Sequence, residues 1–219
     1  MASRLRAHET PAGHVAGLRL GRRRGVRYCP NVPLSTRAAV RRVEAPTPFP
    51  PGSEADLVAR WIRWVATQAE FRGPIRDKTG KYAGRAQPAN LWFLAGNAGG
   101  SSERTCTIPA GRPLFFPTVN LWEIGGAARR GMPVVEGAEG EATLDGVYLP
   151  VRPMGTPRHF LVRGALGNPI TFFPVPFPVS CWGLWVHLAP LAPGHHELRF
   201  RGATDASFDL DVSYHLDVR

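Results

Sequence analysis

Residues 207–218 alternate between apolar and polar side chains. The apolar parity holds Phe208, Leu210, Val212, Tyr214, Leu216 and Val218, and polar residues occupy the other. A period of two places each set on its own face of an extended strand. The pattern therefore predicts a half-buried β-strand whose apolar face turns inward.

One stretch has the spacing of an amphipathic helix. It follows the proline-rich segment 45–52, which we expect to be an extended boundary. Ser53 is the expected N-cap, with Asp56 at the third following position in a capping-box-like arrangement. The stripe behind them runs through Leu57, Trp61, Trp64, Val65 and Gln68. Such a stripe is typical of a helix that packs on a sheet, although paired tryptophans also serve as platforms for ligands.

Short apolar runs separated by Gly and Pro predict a mainly-β fold. The candidate strands are 90–95, 104–108, 113–119, 141–149, 158–164, 170–173, 183–189, 195–202 and 207–218. This pattern indicates an antiparallel β-sandwich, of jelly-roll or immunoglobulin-like type, with the N-terminal helix packed on it. Segment 165–182 is rich in Pro and Phe, and we expect a long loop or a sheet edge there. The expected domain spans 46–219.

Charge pairing suggests a register for the last two strands. One register places Arg201 opposite Asp209 and leaves 204–206 as the hairpin loop. It also places Arg199 opposite Asp211, and each such pair contributes roughly 0.2–1 kcal/mol. A register shifted by two residues retains only one charge pair, so we favour the first.

The favoured register also brings two histidines together. His195 falls opposite His215 on the polar face, with Glu197 two residues along. Two imidazoles and a carboxylate are suitable ligands for Zn²⁺ or Cu²⁺. A surface histidine pair without a metal is the simpler interpretation, and we expect no cofactor.

The formal net charge of +10 is concentrated at the N-terminus. Residues 1–44 hold ten arginines and two glutamates, so the rest of the chain is nearly neutral. The basic arm, 1–45, is interpreted as a phosphate-binding tail, as a disordered extension without a role, or as upstream sequence translated from a wrong start site. It lacks aromatic residues spaced to stack on bases, which disfavours nucleic acid as a partner.

Targeting signals and cysteines add little to the assignment of function. We find neither the apolar run of a signal peptide nor the roughly 18 apolar residues of a membrane span, and read literally the chain is cytoplasmic. Three cysteines allow at most one intrachain disulfide. Cys106 and Cys181 are the expected pair because both lie in the predicted domain, whereas Cys29 lies in the arm.

Three short sequence motifs resemble those of a known family. They are Trp-Phe-Leu-Ala-Gly at 92–96, Arg-Thr-Cys-Thr-Ile-Pro-Ala-Gly at 104–111 and Phe-Phe-Pro-Thr-Val-Asn at 115–120. Together with the tryptophan-bearing helix and the ending Pro-Gly-His-His-Glu-Leu at 193–198, they resemble a family of uncharacterised, mostly secreted bacterial proteins. The resemblance covers roughly 53–219. It implies an extracytoplasmic setting and no particular reaction.

The candidate ligand-binding residues lie in or near the same sequence motifs. They are Trp92, Arg104, Asn120, Glu123 and His159. Arginine clamps carboxylates, and Asn and Glu bind hydroxyls, although the same residues also form buried networks that hold loops. We expect a noncatalytic binding or structural domain whose partner is a small molecule, a glycan or a protein. The alternatives are a hydrolase or lyase using this polar set, and nucleic-acid association through the arm.

Overall fold

Two β-sheets pack face to face, and a helix covers the outer face of one of them. A computed structural model describes residues 45–204 and 208–219. The mainly-β sandwich with an N-terminal helix packed on it is confirmed. The interpretations of the basic arm, and Cys29, lie outside the described residues.

Within the described residues, the elements in chain order are two helices and ten strands. The helices are α1 (Glu54–Ala66) and α2 (Gly125–Arg130), with a 3₁₀ turn at Glu70–Arg72. The strands are β1 (Trp92–Phe93), β2 (Gly100–Ile108), β3 (Leu114–Ile124), β4 (Glu139–Leu144), β5 (Val147–Tyr148), β6 (Arg152–Gly155), β7 (Phe160–Val162), β8 (Phe177–Leu188), β9 (Gly194–Thr204) and β10 (Phe208–Val218). Within the described ranges, no helix is both long and apolar enough to cross a membrane.

Both sheets are mixed rather than strictly antiparallel. Sheet A has the order β1-β3-β8-β6, with β7 also paired to β8, and sheet B has the order β2-β10-β9-β4-β5. The β1–β3 and β2–β10 pairs are parallel. A parallel pair requires a long crossover, and the chain between β2 and β10 provides one. The expectation of an antiparallel sandwich is wrong in this respect.

The start of α1 is capped as its sequence predicts. The Ser53 hydroxyl accepts a hydrogen bond from the Asp56 amide at 3.2 Å, and the Asp56 carboxylate accepts one from the Gly52 amide at 2.9 Å. The first bond satisfies an amide of the first turn, and the second ties the residue before the cap to the helix. The Trp61 indole donates to the Leu94 carbonyl at 2.8 Å, which ties the buried stripe to the end of β1.

Sheet A is buried on both faces. One core cluster lies between α1 and sheet A, and a second lies between the two sheets. Successive residues therefore enter different cores: Phe115 belongs to the helix side and Phe116 to the sheet B side. Trp185 packs between Trp61, at 5.3 Å between ring centroids, and Phe115, at 4.9 Å. Continuous apolar runs such as 114–117 follow from burial on two sides.

The expectation that 165–182 stays out of a central strand is wrong for its last six residues. They begin β8, which has β3 on one side and β6 and β7 on the other. Pro178 is tolerated because it precedes Val179, where pairing with β3 begins. Its missing N–H therefore breaks no bond between these two central strands. Residues 165–176 do form a loop, apart from an isolated bridge between Asn168 and Phe172.

The β9–β10 register is shifted by two residues from the favoured prediction. Arg201 lies opposite Asp211, with Nε and Oδ2 3.2 Å apart, and also lies 3.7 Å from Glu141 on β4. Arg201 thus forms ion pairs with acids on both neighbouring strands. Gly202 occupies the next position, where a Cβ would stand 2.2 Å from the Thr118 carbonyl oxygen of sheet A. The predicted loop at 204–206 is also wrong at its first residue, since Thr204 ends β9.

Candidate functional site: an apolar cavity at the edge of sheet A

A cavity of about 450 Å³ is lined by residues of both core clusters, on the two sides of sheet A. Its walls are mainly apolar and include Trp61, Val119, Trp122, Trp182, Phe208 and Leu210. Trp61 comes from α1, the next three from sheet A, and the last two from sheet B. All three layers therefore contribute to one concave surface, and its volume is typical of small-molecule sites.

The cavity exists because β1 is short. This strand pairs with β3 only at Leu114 and Phe115, and the chain then leaves sheet A and enters sheet B at Gly100. Beyond Phe115, no strand of the described chain pairs with this edge of β3. A β-bulge between Pro117 and Val119 then changes the register of β3. The cavity lies beside this unpaired, bulged edge.

Few polar side chains of the cavity are available to a ligand. Asn97 bonds its own turn, donating to the Gly100 carbonyl at 2.8 Å and accepting from the Gly99 amide at 2.9 Å. Thr118 donates to the Leu184 carbonyl at 3.2 Å. Asn120 makes only a long contact, 4.0 Å from its Nδ2 to the Cys181 sulfur, and its amide oxygen accepts no bond from the described residues. Asn120 is therefore the polar group best placed to bind a ligand.

Arg104 lies behind the cavity wall and is 1% exposed. Its guanidinium donates to the Ala95 carbonyl and the Tyr214 hydroxyl, both at 2.7 Å. Weaker bonds, both at 3.4 Å, reach the carbonyls of Ile75 and Gly96, two residues that line the cavity. Arg104 thus fulfils the structural alternative, a buried network that holds loops.

Arg104 forms no ion pair with an acid of the described residues. Among the described residues no carboxylate lies within 4.0 Å of it, and its Nε has no partner. Burial raises the pKa of the adjacent Tyr214 phenol, so this hydroxyl is neutral near pH 7. A buried positive charge therefore lies close to the cavity, where the low dielectric carries its influence further than in water.

The other predicted ligand-binding residues do not converge. Trp92 is buried between the sheets, under the guanidinium of Arg112 at 5.6 Å. Glu123 is half-buried on β3 opposite Ser180, and His159 precedes β7. No hydrogen bond or ion pair within the described ranges joins any two of the five predicted residues, and only Asn120 lines the cavity. This scatter does not favour a hydrolase or lyase centred on them.

The predicted histidine site is wrong because its register is wrong. Glu197, not His195, lies opposite His215, and the His215 Nε2 lies 2.9 Å from Glu103 on β2. His195 lies opposite Asp217, at 3.7 Å. No group of three or more His, Cys, Asp or Glu able to hold a metal ion occurs in the part of the chain that the structure describes.

The predicted disulfide is also wrong. Cys106 and Cys181 are both free and buried, and they belong to different core clusters on opposite sides of sheet A. Burial raises the pKa of Cys106 to about 11 and that of Cys181 to about 12. Both thiols are therefore protonated near neutral pH, a state unsuited to nucleophilic catalysis.

The sequence does not single out Trp122 or Trp182 as cavity residues. Trp61 is buried in the core, as the helical stripe predicts, and also lines the cavity, while Trp182 lies in the segment expected to be a loop. Trp122 and Trp182 are half-buried on adjacent strands, where Leu121 pairs with Trp182 and Trp122 pairs with Cys181. A possible signal is the excess of indoles near one strand pair, since a core seldom leaves two such rings half exposed.

Comparison with known proteins adds no relative. No protein-family model matches the chain, and no curated protein matches it. Among solved structures, the solution structure of amebosin aligns with a TM-score of 0.22 and 14% identity, over 54% of this chain and 96% of that one. A likeness at that TM-score carries no inference about fold or function.

Proposed function

We propose that this domain is a noncatalytic binding module for a small, mainly apolar molecule. The observation that carries the proposal is the cavity of about 450 Å³, walled by apolar side chains from all three layers. Apolar concave sites with a few fixed polar groups are the usual form of small-molecule sites. The resemblance to mostly secreted proteins supports an extracytoplasmic setting for this binding.

The wall defines the chemistry of the ligand. Trp122 and Trp182 are half-buried cavity residues on opposite faces of sheet A, and each offers flat indole surface to an aromatic ring of a ligand. Asn120 supplies one side-chain amide that can bind a polar group at one end of the ligand. The positive charge of Arg104 near the wall favours a neutral or anionic ligand over a cationic one. A glycan fits less well, because most polar groups of the wall already bond the protein.

A pair of valines tests the site. Val135 lines the cavity, whereas its neighbour Val134 is 66% exposed and does not line it. Tryptophan at position 135 fills the cavity, and tryptophan at position 134 adds the same ring to the outer surface. The probes are N-phenyl-1-naphthylamine, which is neutral, and 1-anilinonaphthalene-8-sulfonate, which is anionic; both fluoresce in apolar sites.

The expected result is that the wild-type protein and Val134→Trp bind both probes alike. Val135→Trp should weaken binding by about tenfold or more, since about 1.4 kcal/mol of lost contact gives that factor. Unchanged binding by Val135→Trp would overturn the proposal, as would absence of binding by the wild type. Thermal unfolding of each variant checks that the fold is retained.

A further inference from the structure

A second apolar surface lies on the loop 165–176, outside the cavity. Four of its apolar side chains are half exposed or more: Leu166 (64%), Phe172 (59%), Phe173 (53%) and Val175 (50%). Phe71, which is 72% exposed, belongs to the 3₁₀ turn beside it, where the Glu70 amide donates to the Gly167 carbonyl at 2.8 Å. We call these five residues the aromatic loop surface. A cluster of exposed apolar side chains of this kind marks an interaction site.

The loop that carries this surface is rigidly built. Asn168 is 1% exposed, and its side-chain oxygen accepts from the amides of Ile170 and Thr171 at 3.0 and 2.9 Å. Its side-chain nitrogen donates to the Ala165 carbonyl at 2.7 Å. The Ala165 amide in turn donates to the Ala66 carbonyl at the end of α1, at 2.8 Å. These polar groups thus form hydrogen bonds within the loop or with the end of α1, and the apolar side chains face outward.

Phe172, one of the five residues of this surface, is held in an unfavourable conformation. Its φ is +61°, a left-handed value that bulky residues rarely adopt. The Phe172 amide donates to Asn168 at 3.0 Å, and its carbonyl accepts from Gly167 at 2.6 Å, so both bonds fix this geometry. The ring nevertheless points into solvent and meets Phe173 edge-on at 5.1 Å. Strain that orders a loop and exposes a ring is characteristic of a binding element.

The surroundings of the aromatic loop surface are basic. Segments 69–76 and 158–176 contain four arginines and one acid, Glu70. That acid is paired with Arg76 at 2.7 Å. Arg163 donates to the Pro174 carbonyl at 3.0 Å, and the Arg72 guanidinium lies over the Phe71 ring at 5.4 Å. The surface thus combines exposed apolar rings with two adjacent arginines, Arg72 and Arg163, that form no ion pair with an acid of the described residues.

We propose that the aromatic loop surface docks this domain onto a lipid bilayer that carries anionic headgroups. Phe and Leu side chains bury in the interfacial region while arginines contact the phosphates. A bilayer fits better than a protein partner, because the loop uses its hydrogen-bonding groups internally. Protein interfaces usually carry about one hydrogen bond per 100–200 Å². The proposal is independent of the cavity.

Vesicle binding by the full chain tests the proposal. The vesicles are phosphatidylcholine alone and phosphatidylcholine mixed with phosphatidylglycerol, separated from free protein by centrifugation. The test variant is Phe172→Ser with Phe173→Ser. The matched control is Val147→Ser with Tyr148→Ser, since these residues are 68% and 74% exposed on the edge strand of sheet B. Phe172→Gly removes one ring and also permits the positive φ.

We expect the wild type to bind the anionic vesicles more tightly than the neutral ones. The Phe172/Phe173 variant should lose about tenfold or more in partition for each ring removed, and Phe172→Gly about tenfold. The control variant should bind as the wild type does. Phe172→Gly should unfold at a temperature no lower than the wild type, which excludes misfolding as the cause.

Three outcomes would overturn the proposal. Equal binding by the wild type and the Phe172/Phe173 variant would assign lipid affinity to the arginine-rich N-terminal arm. Equal losses in the test and control variants would indicate nonspecific apolar adsorption. A wild type that binds neither vesicle would leave the surface as a contact for another protein.

Discussion

Sheets A and B have similar sizes but stand in different surroundings. Sheet A lies between α1 and sheet B, so both of its faces are dry. Sheet B has one dry face and one that carries arginines, acids and histidines in contact with solvent. A sheet with one wet face alternates along its strands, and a sheet with two dry faces does not. The cavity lies beside the unpaired edge of β3, a strand of the sheet that is covered on both faces.

The first prediction compares the loss of stability on substituting neighbouring residues of each sheet, which face opposite sides of the strand. Phe115→Ala and Phe116→Ala should each lower the free energy of unfolding by about 3–5 kcal/mol, because both rings are fully buried on opposite faces of sheet A. In sheet B, Phe200→Ala should cost a similar amount. Its neighbour Arg201→Ala should cost only about 0.2–1 kcal/mol, because its ion pairs are exposed to solvent. Urea denaturation measures all four. A small cost at Phe115 or Phe116 would contradict the two-sided burial of sheet A.

The second prediction addresses the contact between the sheets. Gly202→Ala should lower stability by about 3 kcal/mol, because its Cβ would stand 2.2 Å from the Thr118 carbonyl oxygen and main chain cannot easily move aside. Gly126→Ala is the control, since the nearest atom to its Cβ is an arginine side-chain nitrogen at 4.0 Å. That change should be neutral or stabilising, because Ala favours a helix over Gly. Denaturant midpoints compare the two, and equal values would show that the sheets are not in backbone contact.

The third and smallest prediction concerns the titrating edge of sheet B. The His196 imidazole lies 2.8 Å from the Asp145 carboxylate. This hydrogen bond raises the pKa of His196 above 6.5 and lowers the pKa of Asp145 below 3.8. The imidazolium contribution is complete below pH 6.5 and is lost as pH rises through the raised pKa. The carboxylate contribution is complete above pH 3.8 and is lost as pH falls through the lowered pKa.

Asp145→Asn keeps a residue that tolerates the positive φ of this turn but removes the charge. It should lower stability by a few tenths of a kcal/mol, about 0.5 at most, at about pH 5, because solvent screens the half-exposed carboxylate. At about pH 9 the difference from wild type should shrink, since His196 is then neutral. Phe115→Leu in sheet A should instead cost the same at both pH values. A pH-independent cost for Asp145→Asn would contradict the ion pair.

The sequence was most informative about sheet B. Alternation in β10 assigned every residue of that strand to the correct face, since one face is wet and one is dry. The register was off by two because both candidate registers preserve that parity, and charge pairing alone decided between them. The sequence could not show that Arg201 also pairs with Glu141 on a third strand. Nor could it show that the Gly202 backbone lies against the Thr118 backbone.

Sheet A and the cavity were less accessible to sequence reasoning. A strand buried on both sides has no alternation, and the two prolines in 176–178 obscured the start of β8. Asn120 was found because a polar residue in an apolar strand is conspicuous. Trp122, Trp182 and Val135 were missed, since their convergence depends on the early end of β1 and on the path from α2 to β4. Those are properties of the tertiary fold, and no local pattern encodes them.

The close approach of Gly202 to Thr118 also limits how the cavity can change shape. Thr118 lines the cavity, and Leu210, paired with Gly202, lines it from the other sheet. Backbone in van der Waals contact acts as a spacer of fixed length, so the sheets cannot move closer at this point. The depth of the cavity is thereby set by the main chain. Adjustment to ligands of different size must therefore come from side chains of the wall rather than from a closer approach of the two sheets.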